Sequence, residues 1–359
     1  MRCARAVGCS DRARGRPAMI APGDVPVPSR LLTEAIVAFL ASLLGCELVR
    51  RVALRRALLD EVNDRSLHTV PTPRLGGVAV VVVTLLAAVL AWGTSSREVH
   101  VLVLVSGAIG LVGLRDDLRP LSAGLRILIQ IAASIAFLQL VGTPPFLLAR
   151  GVPLGLPPFV VTAMLVIWMV GVLNIYNFMD GMDGLAGFQT ASAALAFVVL
   201  FNGTSMAGFA LALSASSLGF LAHNFPPARI FLGDAGSTFI GMAFAALAVL
   251  GMHHEIPITE SALPLAPFLL DGTFTIFRRA LRKEKIWKAH RSHLYQRAVQ
   301  TGLGHREVLL VYMAWMAVAT AGAVLASRGP VALGLVWALA LLGLLLVWRW
   351  VVRIESRRV

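Results

Sequence analysis

The chain has 359 residues, of which 57% are hydrophobic and 14% charged, yet its formal net charge is +13. A water-soluble protein of that composition would expose more apolar surface than a core could bury, so the class is an integral membrane protein. The basic residues gather in loops between apolar runs, which excludes nucleic acid as the partner and points to topology and anionic lipid headgroups.

Residues 1–30 read as a disordered leader. Residues 1–18 (MRCARAVGCSDRARGRPA) carry five arginines without an apolar stretch. They are not a signal peptide, and they are expected to be disordered or to precede the native start, with Met19 the more comfortable beginning. Cys3 and Cys9 fall there and Cys46 falls in a helix, so no disulfide framework is expected.

A hydrocarbon core of ~30 Å needs about 20 apolar residues per helix. Apolar runs suit that length at roughly 31–49, 76–92, 99–114, 124–141, 158–176, 185–202, 205–222, 236–252, 261–277, 307–326 and 330–350. The expected fold is therefore all-α, with ten or eleven transmembrane helices in a single catalytic domain over 31–352. Residues 353–359 form a short basic tail. TPPFLLARGVPLGLPP (143–158) is the longest non-helical stretch between spans, and its Pro/Gly spacing predicts a short hairpin or loop.

The loops of one face (50–75, 115–126, 174–187, 223–236, 278–306 and the end from 349) carry 23 Lys/Arg, against Arg97, Arg150 and Arg328 in the loops of the other. The positive-inside rule makes the first set cytoplasmic. The N-terminus is then outside and the C-terminus cytoplasmic, and the expected location is the bacterial inner membrane.

The polar clusters fall on that same face, although they were not used to orient it. The first loop ends in His68-Thr-Val-Pro71-Thr-Pro73-Arg74-Leu-Gly76-Gly77, where prolines hold an extended turn and glycines allow close backbone approach. A rigid helix-entry loop is the plainer reading. The second loop is Arg115-Asp116-Asp117-Leu-Arg119-Pro120-Leu-Ser122, with Arg126 a turn later. Adjacent carboxylates repel unless a cation is near, so the pair suits a metal, a phosphate-activating base or both; a solvated helix end is the alternative. In the third, Asn174, Asn177 and Asp180 are spaced to share a helical face, and the glycines of Gly181-Met-Asp183-Gly184 open a turn whose N–H groups can meet a ligand. The fourth, Phe231-Leu-Gly233-Asp234-Ala-Gly236-Ser237, sets one Asp in a turn opening a helix, for which N-capping is an ordinary explanation. The fifth, 278–306, is basic and His-rich, with His290, Arg291 and His293 followed by His305. It suits phosphate binding, or a polybasic contact with the membrane surface. Oxygen ligands without Cys favour Mg²⁺, or Mn²⁺, over zinc.

Together these segments resemble the polyprenyl-phosphate N-acetylhexosamine-1-phosphate transferases (glycosyltransferase family 4), a family related to the phospho-MurNAc-pentapeptide translocases. The resemblance runs from about residue 31 to 310 and takes in HTVPTPRLGG, GLRDDL, NIYNFMDGMDGLAG, FLGDAGSTFIG and HRSHLYQR in the family's order. The last motif is similar to the branch that initiates O-antigen and common-antigen synthesis, because the translocases usually carry three histidines there. The resemblance implies Mg²⁺-dependent transfer of a HexNAc or deoxy-HexNAc 1-phosphate from a UDP-sugar to undecaprenyl phosphate, with release of UMP. It implies that Asn177 and Asp234 hold the metal, and that Gly181, Asp183 and Phe231 form the uracil pocket. Asp116 and Asp117 would face the lipid phosphate, Asp117 deprotonating or positioning it, with Asp180 and Asp234 completing the catalytic carboxylates. Arg74, Arg126, His290, Arg291 and His293 would bind phosphates or the donor sugar. Many members read Asp-Asp-x-x-Asp where this chain has Pro120, which weakens any role for a three-Asp cluster: either the third carboxylate is dispensable or Arg119 and Arg126 have changed the local charge balance. Membrane lipids are the remaining partner, and a homodimer is left open.

Two other readings differ in class or substrate. A transporter would place charge near the bilayer midplane, where the candidates are Glu34, Glu47 and Asp271; polar motifs confined to one face favour surface chemistry. The peptidoglycan translocase is the alternative enzyme, and the histidine arm argues against it.

Overall fold

The structure, a computed structural model, describes residues 28–61, 67, 70–92, 96–285, 290–327 and 329–357. The leader's first 27 residues and His68 lie outside the described residues.

The described chain is helical apart from two small antiparallel ribbons. Helix α1 covers Pro28–Arg55, and α2 covers Gly76–Ala87 and runs on into a π-helical turn, Ala88–Trp92. Next come α3 (Arg97–Leu118), α4 (Ala123–Val141) and α5 (Pro158–Met179). They are followed by α6 (Leu185–Leu200), α7 (Ser205–Asn224) and α8 (Gly233–His253). The last third holds α9 (Ile258–Ala262), α10 (Ala266–Leu281), α11 (Leu294–Gln300), α12 (His305–Ala326) and α13 (Pro330–Glu355). Eight of these, α1, α3, α4, α5, α7, α8, α12 and α13, are long and apolar enough to cross a membrane, and α2 and α6 are shorter apolar helices.

Every run read as a span coincides with one of these helices, with one difference. The segment 261–277 is not a single helix: α9 passes through a 3₁₀ turn, Leu263–Leu265, into α10. Pro264 and Pro267 lie at that junction, and a proline ring cannot continue an α-helical hydrogen-bond ladder. Elsewhere the boundaries follow local chemistry. Ser96 and Ser122 accept from the N–H of Val99 (3.4 Å) and Leu125 (3.3 Å) at the starts of α3 and α4, and prolines open α5 and α13, as the missing N–H allows.

Helix α8 is the axis of the bundle and is buried along nearly its whole length. Its sequence, GDAGSTFIGMAFAALAVLGMH, is rich in small residues, which lets neighbouring backbones approach closely. A Cβ on Gly113 of α3 would strike the main chain of Asp234, and one on Gly77 of α2 would strike Gly236. The outer helices instead turn leucine and isoleucine outward; Leu44, Leu111 and Ile167 are 69, 68 and 73% exposed. Apolar surface on that scale belongs against lipid, and the chain is a multi-pass membrane protein.

The two ends of the bundle differ. At one end, strands β1 (Leu59–Asp60) and β2 (Thr72–Pro73) pair between α1 and α2, beside the ends of α3, α5 and α7 and the starts of α8 and α12. At the other, strands β3 (Leu147–Ala149) and β4 (Val152–Pro153) form the hairpin expected in 143–158. Arg150 at its tip grips the buried Glu260 of α9 with two N–H groups, Nε to Oε1 at 2.9 Å and Nη2 to Oε2 at 2.6 Å.

Candidate active site

The site is built where three helix ends meet: the last turns of α3 and α5 and the first turn of α8. Residues before α8 are fixed by an extended pairing with the approach to α2. Phe231 N donates to Pro73 O, while Gly76 N and Gly77 N donate to the carbonyls of Phe231 and Leu232, all at 2.8 Å. These bonds satisfy N–H groups that a helix start otherwise leaves open. They also explain why TPRLGG and FLGDAGS occur in one chain: each completes the other's backbone.

Gly233 then turns the chain into α8 with φ 77°, a left-handed conformation that favours glycine. A Cβ there would also meet the carboxylate of Asp117. Asp117, buried at the end of α3, accepts from Asp234 N (3.0 Å, Oδ1) and Ala235 N (2.9 Å, Oδ2). It is therefore the cap of α8, where a carboxylate also meets the positive end of the helix dipole. Asp234 is not the cap, so the plain explanation for an aspartate at that helix start belongs to a residue 117 positions away.

Asp234 is left available. Its Oδ1 accepts from Asn177 Nδ2 at 2.7 Å, and the same amide nitrogen donates to Ser237 Oγ at 2.9 Å. With its N–H groups spent, Asn177 has its carbonyl oxygen to offer a ligand. Asp116 is not part of the cleft lining, although its carboxyl lies beside that of Asp234. It accepts from Leu121 N and Arg126 Nη1, both at 2.6 Å, and Arg126 stands 3.8 Å from Asp234. Arg126 thus bridges the two carboxylates rather than lining the cavity.

Asp180 sits one residue past α5, with φ −85° and ψ 58°, so the face expected to carry Asn174, Asn177 and Asp180 ends before it. Asn174 donates to Gln130 Oε1 at 2.6 Å instead of joining the site. Burial, then the neighbouring Asp234 and Asp117 carboxylates, push Asp180 well above the usual carboxylate range. Desolvation and like charge both favour the protonated form. Beyond it, Gly181 packs under the hydroxyl of the buried Tyr295, which donates to Phe178 O at 3.2 Å. Asp183 Oδ2 accepts from Ala228 N at 3.0 Å, and Asn224 Oδ1 accepts from Gly184 N at 2.8 Å.

These residues enclose a cleft of about 700 Å³. Of the residues singled out in the sequence, Arg74, Asp117, Asn177, Asp180, Gly181, Asp183, Phe231 and Asp234 line it. The lining carries five aspartates against one arginine and one histidine. His305, named with the basic arm, lines it too, as do Asp60, Asn224 and Gln296, which were not singled out. Asn224 and His305 had a visible signal, each being a polar residue at the cleft end of a span.

The histidine arm stands differently from the expectation. His290, Arg291 and His293 are not part of the lining; Gln296 and His305 from the same region are. His293 is buried and stacked beside Tyr295, at 5.9 Å between ring centres. Its ring nitrogen Nδ1 lies 3.7 Å from Asp271 Oδ1. Asp271, fully buried, accepts from Leu294 N (3.0 Å), Thr275 Oγ1 (3.1 Å) and Tyr312 OH (2.6 Å). It is the hub that fixes α11 against α10 and α12. His290 is half-buried, and burial, followed by the neighbouring His293, Arg279 and Arg278, pulls it down to about 4. It is therefore neutral near pH 7.

The donor atoms gathered here suit a hard divalent cation, since they are carboxylate and amide oxygens. Among the described residues no three His, Cys, Asp or Glu side chains converge on one point. A protein share of one or two carboxylates, with substrate phosphates supplying the rest, is how Mg²⁺ is commonly held. The residues fit that ion.

A multi-pass helical protein with an acid-rich cleft at one end of its bundle is the class that fold and site define. The sequence profile of Glycosyl transferase family 4 matches residues 99–252. The chain is 32% identical over 297 residues to a probable undecaprenyl-phosphate N-acetylglucosaminyl 1-phosphate transferase of Bacillus subtilis (strain 168), covering 79% of this chain and 82% of that one. It is 31% identical over 338 residues to a decaprenyl-phosphate N-acetylglucosaminephosphotransferase of Mycobacterium leprae, with 81% of each covered. A phospho-N-acetylmuramoyl-pentapeptide-transferase of Synechococcus is 30% identical over 243 residues, which is 61% of this chain and 69% of that one. The chain belongs to glycosyl transferase family 4.

Proposed function

We propose that this protein transfers N-acetylglucosamine 1-phosphate, or a related HexNAc 1-phosphate, from a UDP-sugar to undecaprenyl phosphate. UMP is released, in the first membrane step of a cell-envelope polysaccharide such as O-antigen. The observation that carries the reading is the cleft itself: Asp117, Asn177, Asp180 and Asp234 brought from three helix ends to one wall, in a chain whose relatives are named for that transfer. The loop charges support eleven crossings of the inner membrane within one domain, with this end cytoplasmic and the N-terminus outside.

In the reaction an oxygen of the lipid phosphate attacks the sugar-bearing phosphorus of the donor. The bond from that phosphorus to the bridging oxygen breaks, and the oxygen leaves with UMP. The protein's part is positioning and charge compensation. Asp234 and the carbonyl oxygen of Asn177 would hold Mg²⁺, or Mn²⁺, which supplies neutralisation across the diphosphate when bound. Asp117 orients Asp234 by holding the start of α8, which favours positioning over deprotonation for that residue. Burial and its acidic neighbours favour the protonated form of Asp180 in the empty cleft, and positive charge arriving there would favour loss of that proton. Arg74 meets phosphate at the rim, Phe231 stacks on the base, and Gly181 and Asp183 approach its edge. Arg126 with Asp116 sets the charge behind Asp234. His290, Arg291 and His293 hold the arm that presents Gln296 and His305.

The test is an assay of the full chain in detergent micelles with undecaprenyl phosphate, Mg²⁺ and a panel of UDP-HexNAc donors. Lipid-linked sugar diphosphate should form with an equal amount of UMP. A panel that yields no lipid product while the protein stays folded and monodisperse would refute the reading.

A further inference from the structure

Helix α11 supplies Gln296 to the cleft, yet it is only seven residues long, Leu294–Gln300. A helix that short is not stable by itself, so tertiary anchors decide where it sits. Two anchors stand near its start: Leu294 N on Asp271, and the Tyr295 hydroxyl on the carbonyl of Phe178 at the end of α5. The third comes from the far end of the chain. Arg297 grips Glu355, in the last turn of α13, with Nε to Oε1 at 2.9 Å and Nη2 to Oε2 at 2.5 Å. The two side chains are 14 and 37% exposed. Paired N–H···O bonds of this kind fix direction as well as distance.

Among the described residues, none that lines the cleft belongs to α13, and no part of the reaction described above falls to Glu355. Its partner, however, adjoins Gln296 in the chain. About 100° of helical rotation separates consecutive side chains, so one meets α13 while the other meets the cleft. Gln296 Oε1 accepts from His293 N at 3.2 Å, and a Cβ on Gly181 would come to 3.6 Å from its Nε2. The amide that Gln296 places in the wall therefore follows the rotation of α11. Removing Glu355 would do more than cut two bonds. Arg278, whose Nη2 donates to Ser292 O at 3.1 Å, has both Arg297 and Glu355 as charged neighbours. Without the carboxylate, two guanidinium groups repel each other beside α11.

We propose that Glu355 is a positioning residue for the transfer reaction: through Arg297 it sets the rotation of α11 and so keeps Gln296 in the cleft wall. The inference rests on the reading that the cleft carries out sugar-phosphate transfer. Asp271 and Tyr295 hold one end of α11, and a segment held at one end can still turn. The pair with Glu355 holds the other end. A misplacement of about 1 Å caused by a distant substitution can cost on the order of a hundredfold in rate, which is how a residue outside the cleft reaches the chemistry. The end of α13 is thereby part of what shapes the site.

The experiment measures kcat and KM for UDP-N-acetylglucosamine with undecaprenyl phosphate and Mg²⁺, and melting temperature beside them, on the full-length protein in detergent. The variants are Glu355→Ala, Arg297→Ala, the two together, Gln296→Ala, and Gln296→Ala with Glu355→Ala. Glu355→Ala should lower kcat/KM by about tenfold or more. Arg297→Ala should match it, and the two together should add little, because both break one contact. In the Gln296→Ala background, Glu355→Ala should cost less than about threefold, a coupling that lost stability alone does not produce. Should an alanine variant at 355 fail to fold, Glu355→Gln, which keeps the shape and drops the charge, takes its place. Unchanged kcat/KM per folded molecule in the Glu355 variant, whatever its melting temperature, overturns the positioning role. An equal fold-loss with and without Gln296 overturns it too. Wild type that transfers no sugar phosphate overturns instead the reading on which the inference rests.

Discussion

The two ends of this helix bundle treat their carboxylates in opposite ways. At the hairpin end, Glu260 and Glu98 each have a basic partner. Glu260, 2% exposed, is gripped by Arg150, and Glu98 lies 3.0 Å from His254 Nε2. At the cleft end, Asp117, Asp180, Asp183 and Asp234 line one cavity, where main-chain N–H groups hold Asp117 and Asp183 and an amide holds Asp234. The nearest guanidinium to Asp234, that of Arg126, is 3.8 Å away and engaged with Asp116 at 2.6 Å. A buried acid with a basic partner is structural. Several acids without enough positive charge are incomplete, and what completes them comes from outside the chain.

Breaking this contrast should produce its largest effect in the cleft. Asp234→Asn should lower kcat/KM by about a hundredfold or more, the scale on which removal of one positioned electrostatic group acts, with little change in melting temperature. A loss below about threefold in a Mg²⁺-saturated assay would remove Asp234 from the reaction. Arg150→Ala should do the reverse. It strands Glu260 without a partner and should cost about 2–4 kcal/mol of stability, somewhat under the usual figure for a fully buried pair because Arg150 is 43% exposed. Activity per folded molecule should be nearly unchanged, and thermal denaturation in detergent beside initial rates separates the two outcomes.

How much of this was legible in the sequence follows the same division. The helices were readable because hydrophobicity is a local property, and eight of them are long and apolar enough to cross a membrane; α2 and α6 are shorter, and in the ninth run Pro264 and Pro267 break the helix while the run stays apolar. The acidic loops were readable because carboxylates between membrane spans need a reason. Which carboxylate does what was not readable. That Asp117 caps α8 depends on α3 packing against a helix more than a hundred residues on, through Gly113, and no spacing rule encodes it. The histidine arm shows the same limit. Its composition suggested ligand contact for His290, Arg291 and His293; the seating of Leu294 N on the buried Asp271, and of Gln296 in the cleft lining, is a placement that composition does not encode.

The pH response should sharpen the comparison. In the Mg²⁺-free chain Asp180 binds its proton more tightly folded than unfolded, because burial and its acidic neighbours raise it. The stability this contributes is complete below the unfolded value of about 4 and is lost as pH rises through the folded value. Melting temperature in chelator should therefore fall as pH rises above that unfolded value, the fall should be smaller in Asp180→Asn, and Mg²⁺ should flatten it. A melting temperature that climbs over this range would contradict the assignment. The smallest effect is expected at His290. Already neutral, with a value pulled down to about 4, and outside the cleft lining, it should change kcat/KM by less than about threefold as Gln, within the spread of ordinary substitutions away from a reacting centre. A hundredfold loss with the melting temperature retained would instead put it in contact with substrate.

The central claim is that a cation completes the cleft carboxylates, and Mg²⁺ titration in the presence of UDP tests it most directly. Wild type and Arg150→Ala should bind with the same affinity, and Asp234→Asn should bind at least about tenfold more weakly, as loss of a direct oxygen ligand requires. Equal Mg²⁺ affinity in Asp234→Asn and wild type would contradict the account.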